Sequence, residues 1–127
     1  MNKNKSQLGR FGEDIACDFL VKNGYKIIER NSKKPWGELD IIAKAPDKTL
    51  VFIEVKTLRL RSGQADNGFQ PEEQLTKAKL QKLKRTASLC AGLRRDLIKD
   101  EKGWRIDLLA LRVNSGRYFI NHYENIA

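Results

Sequence analysis

The chain has 127 residues, a formal net charge of +9 and a pI near 9.7. That length suits one compact domain over residues 1–127 that buries enough surface to fold without staples. The charge favours an anionic partner, either nucleic acid or an anionic membrane surface. No apolar run approaches the roughly 20 residues of a membrane span, and no apolar segment follows the basic start MNKNKSQLGR, so a secretory signal is not expected.

In chain order, Ser6 to Asn23 reads as an amphipathic helix with Leu8, Phe11, Ile15 and Phe19 at helical spacing, widened by Ala16 and Leu20. Ser6 is its expected N-cap and Gly24 its stop. A short strand follows from Tyr25 to Arg30, then a polar turn from Asn31 to Pro35. Glu38 to Lys44 and Leu50 to Thr57 are two further strands joined around Pro46-Asp47-Lys48. Leu58 to Gln70 is polar and without period, and reads as a mobile loop that folds over a substrate. Pro71 opens a long helix to about Ala91 whose apolar face is Leu80, Leu83, Ala87 and Cys90. Trp104 to Val113 and Arg117 to Tyr123 are strands joined by an Asn-Ser-Gly turn. The order α-β-β-β-α-β-β predicts an α/β domain with a sheet flanked by helices.

The two cysteines, Cys17 and Cys90, fall in helices without disulfide-framework or zinc-site spacing. They read as small buried hydrophobes of a reducing compartment, and the protein is expected in the cytoplasm. The single histidine, His122, leaves histidine-based catalysis without its parts, and no phosphate-binding glycine loop is present.

Charge inside the strands is the informative signal. In WGELDIIA, Glu38 and Asp40 alternate with apolar residues; in LVFIEVKT, Glu54 and Lys56 do the same. By alternation Glu38, Asp40 and Ile42 share one face, opposite Leu39 and Ile41; Phe52, Glu54 and Lys56 likewise share one face. A three-residue turn closed by Ala45 and Thr49 gives partners that sum to 94. Ile42 then meets Phe52, Asp40 meets Glu54, and Glu38 meets Lys56. Two carboxylates about 4 Å apart repel by on the order of 4 kcal/mol at an effective dielectric near 20. A hard divalent ion relieves this, and magnesium is commonly held by one or two carboxylates, water and phosphate. Lys56 is then placed to orient water or stabilise phosphorane charge. The alternative is a row of solvent-facing charges on a half-exposed strand. Glu13 lies at the border of the first helix's apolar stripe, either reaching toward the sheet as a further ligand or standing as a surface acid. Arg105 and Asp107 share a strand face and are expected to form an internal salt bridge supporting the site.

From Thr57 to Arg95 there are nine Lys or Arg against three acids. Gln74, Lys77, Gln81, Lys84 and Ser88 fall on one stripe of the second helix. There they would hold phosphates without reading sequence, with Arg59 extending the surface, or form an ordinary solvated face. Trp36 would stack on a base or cover the core. Neither helix has the long apolar face with strongly basic flanks of a membrane-surface protein, so nucleic acid is the expected partner.

Three blocks in order, Gly9 to Tyr25 (GRFGEDIACDFLVKNGY), Gly37 to Ala43 (GELDIIA) and Val51 to Thr57 (VFIEVKT), resemble the YraN-like family. Lys77 and Arg105 to Asp107 also fit its spacing, and the resemblance runs from about Gly9 to Leu111. It implies a restriction-endonuclease-like fold similar to archaeal Holliday junction resolvases, with a PD-(D/E)xK-type site. Asp40 matches the metal-binding acid, Glu54 the second acid, Lys56 the catalytic lysine and Glu13 the first-helix glutamate as a further ligand. Glu38 belongs to the G-E-x-D signature in a supporting role. The proline of the motif is absent; Leu39 stands before Asp40. The expected activity is Mg2+- or Mn2+-dependent endonucleolytic cleavage of DNA, including branched DNA. The alternative is a catalytically inactive nucleic-acid-binding module of nuclease ancestry. Resolvase-like proteins act as dimers, so a homodimer is one implied arrangement, although no heptad or apolar patch in the sequence requires it.

Overall fold

The computed structural model describes residues 7–59 and 75–127. The elements run α1 (Gln7–Lys22), β1 (Lys26–Lys34), β2 (Gly37–Lys44), β3 (Leu50–Arg59), α2 (Lys77–Leu93), β4 (Trp104–Asn114) and β5 (Arg117–Tyr123), with a 3-10 turn at Arg95–Leu97. The strands form one five-stranded sheet in the order β1-β2-β3-β4-β5. Only β3 and β4 pair in parallel, across the connection that carries α2. The result is a mixed sheet with a helix on each face, in the predicted order.

α1 closes where Gly24 takes φ +87. Gly24 N donates to Val21 O at 3.1 Å and Tyr25 N to Leu20 O at 2.9 Å, the paired bonds of a left-handed helix end. The expected Ser6 cap lies outside the described residues. The buried face is Gly12, Glu13, Ala16, Cys17 and Leu20, whereas Phe11 of the predicted stripe is 45% exposed. The stripe is rotated because the helix approaches the sheet through its small residues. A Cβ at Gly12 would collide with Thr57 of β3.

β1 is longer than expected. Asn31 to Lys34 are strand, not turn, with Ser32 opposite Leu39 and Lys34 opposite Gly37. Asn31 takes φ 53, which asparagine tolerates better than most residues. The reversal is the two residues Pro35 and Trp36. Between β2 and β3 the predicted register holds where the ladder forms: Ile42 faces Phe52, Ile41 faces Ile53, and Ala45 N donates to Thr49 O at 2.9 Å. β3 runs on through Leu58 and Arg59, so these two leave the predicted loop; the rest of that loop lies outside the described residues.

α2 begins later than expected. Thr76 is its N-cap, its hydroxyl accepting from Lys79 N at 3.2 Å; Pro71 lies outside the described residues. Leu83, Thr86, Ala87, Cys90 and Ala91 are buried, against Ile42, Leu50, Phe52 and Ile106 on one sheet face. Ile41, Ala43, Val51, Ile53, Leu109 and Leu111 pack under α1 on the other. Leu39 departs from strict alternation and joins the α2-side cluster, at the point where β2 parts from β3. Both cysteines are free and buried. Among the described residues no helix is long and apolar enough to cross a membrane.

Candidate metal and nucleic-acid site

The β2–β3 ladder ends at Ile41–Ile53, one position short of the predicted Asp40–Glu54 pair. At the next step the Asp40 carboxylate takes the place of backbone: its Oδ2 accepts from Val55 N at 2.9 Å. The strands therefore part where the acids stand, and no Glu38–Lys56 backbone pairing forms. Lys56 Nζ lies 3.4 Å from Glu54 Oε2. Glu38 is exposed and faces Lys33 across the β1–β2 hairpin.

Glu54 is only 20% exposed, and its carboxyl is pushed up to about 7. Burial is the main cause and the Asp40 charge the second; Lys56 opposes both, and a hydrogen bond to Asp40 adds to the rise. The Asp40 charge thus adds to burial in opposing ionisation of Glu54 at neutral pH. This donor set fits a hard divalent cation, whose charge relieves the repulsion. Among the described residues no third His, Cys, Asp or Glu completes a ligand cluster with them. Water and a phosphate oxygen would have to fill the remaining positions.

Glu13 is 2% exposed and sits on the α1 side of the sheet. Arg30 Nη2 stands 4.0 Å from its Oε1 while holding Asp14 at 2.7 Å. Its neighbour Gly12 abuts Thr57 near the end of β3. Glu13 does not line the cleft described next.

Asp40, Glu54 and Glu38 line a cleft of about 660 Å3 between α2 and the β1–β2 hairpin. Its other walls are Leu83 and Thr86 of α2 and Trp36 of the hairpin tip, with Lys34, Lys79 and Lys82 around it. Gly37, at φ +155, lets the tip lie against α2, because a Cβ there would collide with Thr86. The Thr86 hydroxyl donates to Lys82 O at 3.0 Å and is 3.4 Å from Trp36 O.

Of the residues chosen from sequence to hold nucleic acid, Gln81 and Lys84 line a different hollow with Arg85, Ser88 and Trp104. Lys77 is exposed at the start of α2. Arg59 is exposed at the end of β3, on the opposite face from Lys56 by alternation. Gln74 lies outside the described residues. Besides Lys56, which touches Glu54, the lysines that line the cleft with the acids are Lys34, Lys79 and Lys82, which the sequence reading did not select. A helical wheel offers two basic flanks beside one apolar stripe, and only the crossing of helix over sheet decides which flank meets the acids.

The expected Arg105–Asp107 salt bridge is present, with Nε to Oδ1 at 3.0 Å. Asp107 is fully buried and also bonds His122 Nε2 at 2.8 Å and Asn125 N at 2.9 Å. Arg105 reaches the Tyr25 hydroxyl at 3.0 Å. Burial pushes the Asp107 carboxyl up, but the hydrogen bonds from His122, Arg105 and Asn125 outweigh it and hold the group below its usual range. This network ties β5 and the C-terminal segment to the α1 side of the sheet; its bonds do not run to Asp40, Glu54 or Lys56.

A mixed five-stranded sheet between two helices, with an acid pair and a lysine where two strands part, defines an α/β protein of mixed-sheet architecture. The chain belongs to the family described as Uncharacterised protein family UPF0102, the YraN-like group, whose model matches residues 12–111. It is 34% identical to a UPF0102 protein of Corynebacterium efficiens over 99% of this chain and 96% of that one. It is 37% identical to a UPF0102 protein of Dictyoglomus thermophilum over 94% and 99% of the respective chains. Among solved structures it is similar to Pyrococcus furiosus SfsA in complex with Ca2+, at 21% identity and a TM-score of 0.35, covering 90% of this chain and 60% of that one.

Proposed function

We propose that the protein is a divalent-metal-dependent endonuclease acting on DNA, with Asp40 and Glu54 as the metal-holding acids and Lys56 as the catalytic cation. The observation that carries this reading is the meeting of two partly buried carboxyls, one pushed up to about 7, beside a lysine 3.4 Å away. A pure binder gains nothing from acids placed where phosphates must come. Bound there, Mg2+ or Mn2+ would supply Lewis-acid polarisation of the phosphate and a water of lowered pKa. The chain's own groups do the rest. The Val55 N–H fixes the Asp40 carboxylate, so one ligand oxygen is oriented in advance. Lys56 opposes the rise in the Glu54 carboxyl, favouring its charged form, and presents Nζ to the charge that builds on the phosphorus oxygens during in-line attack. Attack on phosphorus breaks one P–O bond and leaves two ends.

The exposed lysines around the cleft, in a chain of net charge +9, would hold the phosphates that position the substrate. The test is cleavage of supercoiled plasmid and of a synthetic four-way junction with Mg2+ or Mn2+, against EDTA and against Glu54→Ala and Lys56→Ala. Metal-dependent cutting lost in both variants supports the reading, and preference for the junction assigns branched substrate. No cutting by folded protein that still binds DNA in a salt-sensitive manner overturns it in favour of a binding module.

A further inference from the structure

We infer that the cleft between the β1–β2 hairpin and α2 takes a single-stranded segment of nucleic acid, one base stacking on Trp36 and the flanking phosphates bonding Lys34, Lys79 and Lys82. This rests on the reading of the acid pair as a phosphodiester site and names the form of substrate that reaches it. Size comes first. A cleft of about 660 Å3 is that of a small-ligand pocket, space for roughly one or two nucleotides and not for a duplex cylinder. A duplex is instead read from an extended surface.

The lining matches a single strand's chemistry. Trp36 stands at the turn of the hairpin, partly exposed, in a wall of the cleft. Its Nε1 edge is buried and turned toward the Cys90 thiol of α2. The indole nitrogen therefore points into the protein, and the exposed part of the ring is apolar surface. An apolar face edged by cations is the pairing that binds single strands, because every base has a stacking face and every linkage a charge. The three lysines come from two elements, Lys34 from β1 and Lys79 and Lys82 from α2, and all three are exposed. They line the same cleft as Asp40 and Glu54, so a phosphate held by them lies near the acid pair.

Gly37 supports this assignment. Its φ of +155 and the lack of room for a Cβ against Thr86 show that the hairpin tip is brought close to α2, which a merely solvated turn does not need.

The test uses the two-tryptophan chain with Trp104→Phe, leaving Trp36 as the sole reporter, and with Glu54→Gln in EDTA. The second change removes one acid's repulsion and prevents cutting. A 15-nucleotide oligo-dT is expected to quench the emission and to bind at least ten-fold tighter than a 15-base-pair blunt duplex. Lys79→Gln with Lys82→Gln is expected to cost about ten-fold in dT affinity and to flatten the salt slope by roughly 1.4, at about 0.7 per phosphate lost. Both lysines are exposed, so this variant keeps its fold. Trp36→Leu, read by anisotropy of labelled oligo-dT, is expected to weaken binding several-fold. Equal affinity for duplex and single strand, or dT binding that leaves Trp36 emission and the lysine variant unchanged, overturns the inference. Cleavage is scored separately with the wild-type protein. Duplex cutting without single-strand preference sinks this inference and leaves the nuclease reading standing. Quenching and lysine dependence without cutting sinks the nuclease reading alone.

Discussion

A carboxyl pushed up to about 7 makes metal-free stability depend on pH. Between its ordinary value of 4.5 and about 7, Glu54 binds a proton in the folded chain that the unfolded chain has released. Stability from this group is therefore present below pH 4.5 and lost as pH rises through 7, on the order of 3 kcal/mol in total. Urea unfolding in EDTA from pH 5 to pH 8 should show the decline in wild type and a flatter profile in Glu54→Gln. Asp107 has the opposite sign. Its folded value lies below the unfolded one, so its contribution is present above the unfolded value and lost as pH falls through the folded value. Asp107→Asn weakens the pairing of Arg105 and His122 and should cost about 2–4 kcal/mol. It should leave oligonucleotide binding by the folded protein unchanged, since the network lies on the α1 side.

Among the elements, the β1–β2 hairpin depends on one backbone position. Gly37→Ala must both leave its φ of +155 and push Thr86 aside. A loss of about 1–3 kcal/mol is expected, together with weaker oligo-dT binding because the tip moves away from α2. Leu83→Ala, in the center of the α2 contact, should cost about 2–5 kcal/mol by leaving a cavity against the sheet. The helices and strands were legible because periodicity follows from which face is buried, and the Pro46–Lys48 turn was legible because a three-residue count sets the register. The ends of β1 and α2 were not. Asn31 to Lys34 are polar and read as turn, yet β2 supplies the ladder that makes them strand. Pro71 and the acids behind it, read as a helix start, lie outside the described residues, and the helix that follows is capped by Thr76.

For the whole molecule, the charge of +9 suits a polyanion while the acid pair repels it, and the proposed divalent ion would reconcile the two. Metal binding requires Glu54 deprotonated, so Mg2+ or Mn2+ affinity should climb as pH rises through about 7 and level off above it. Saturating metal should raise the melting temperature of wild type, by about 2.7 kcal/mol of stability at a hundred times Kd. It should do little for Glu54→Gln, and differential scanning calorimetry with EDTA as reference checks both. The sequence by itself determined the order of elements, the β2–β3 register and the candidacy of Asp40, Glu54 and Lys56, because alternation and turn length are local rules. Only the tertiary structure decided where β2 and β3 part, that Asp40 takes the Val55 N–H, that Glu13 is buried beside Arg30, and which lysines share the cleft with the acids. Those depend on how α1 and α2 cross the sheet, and a crossing is set by packing between residues far apart in the chain.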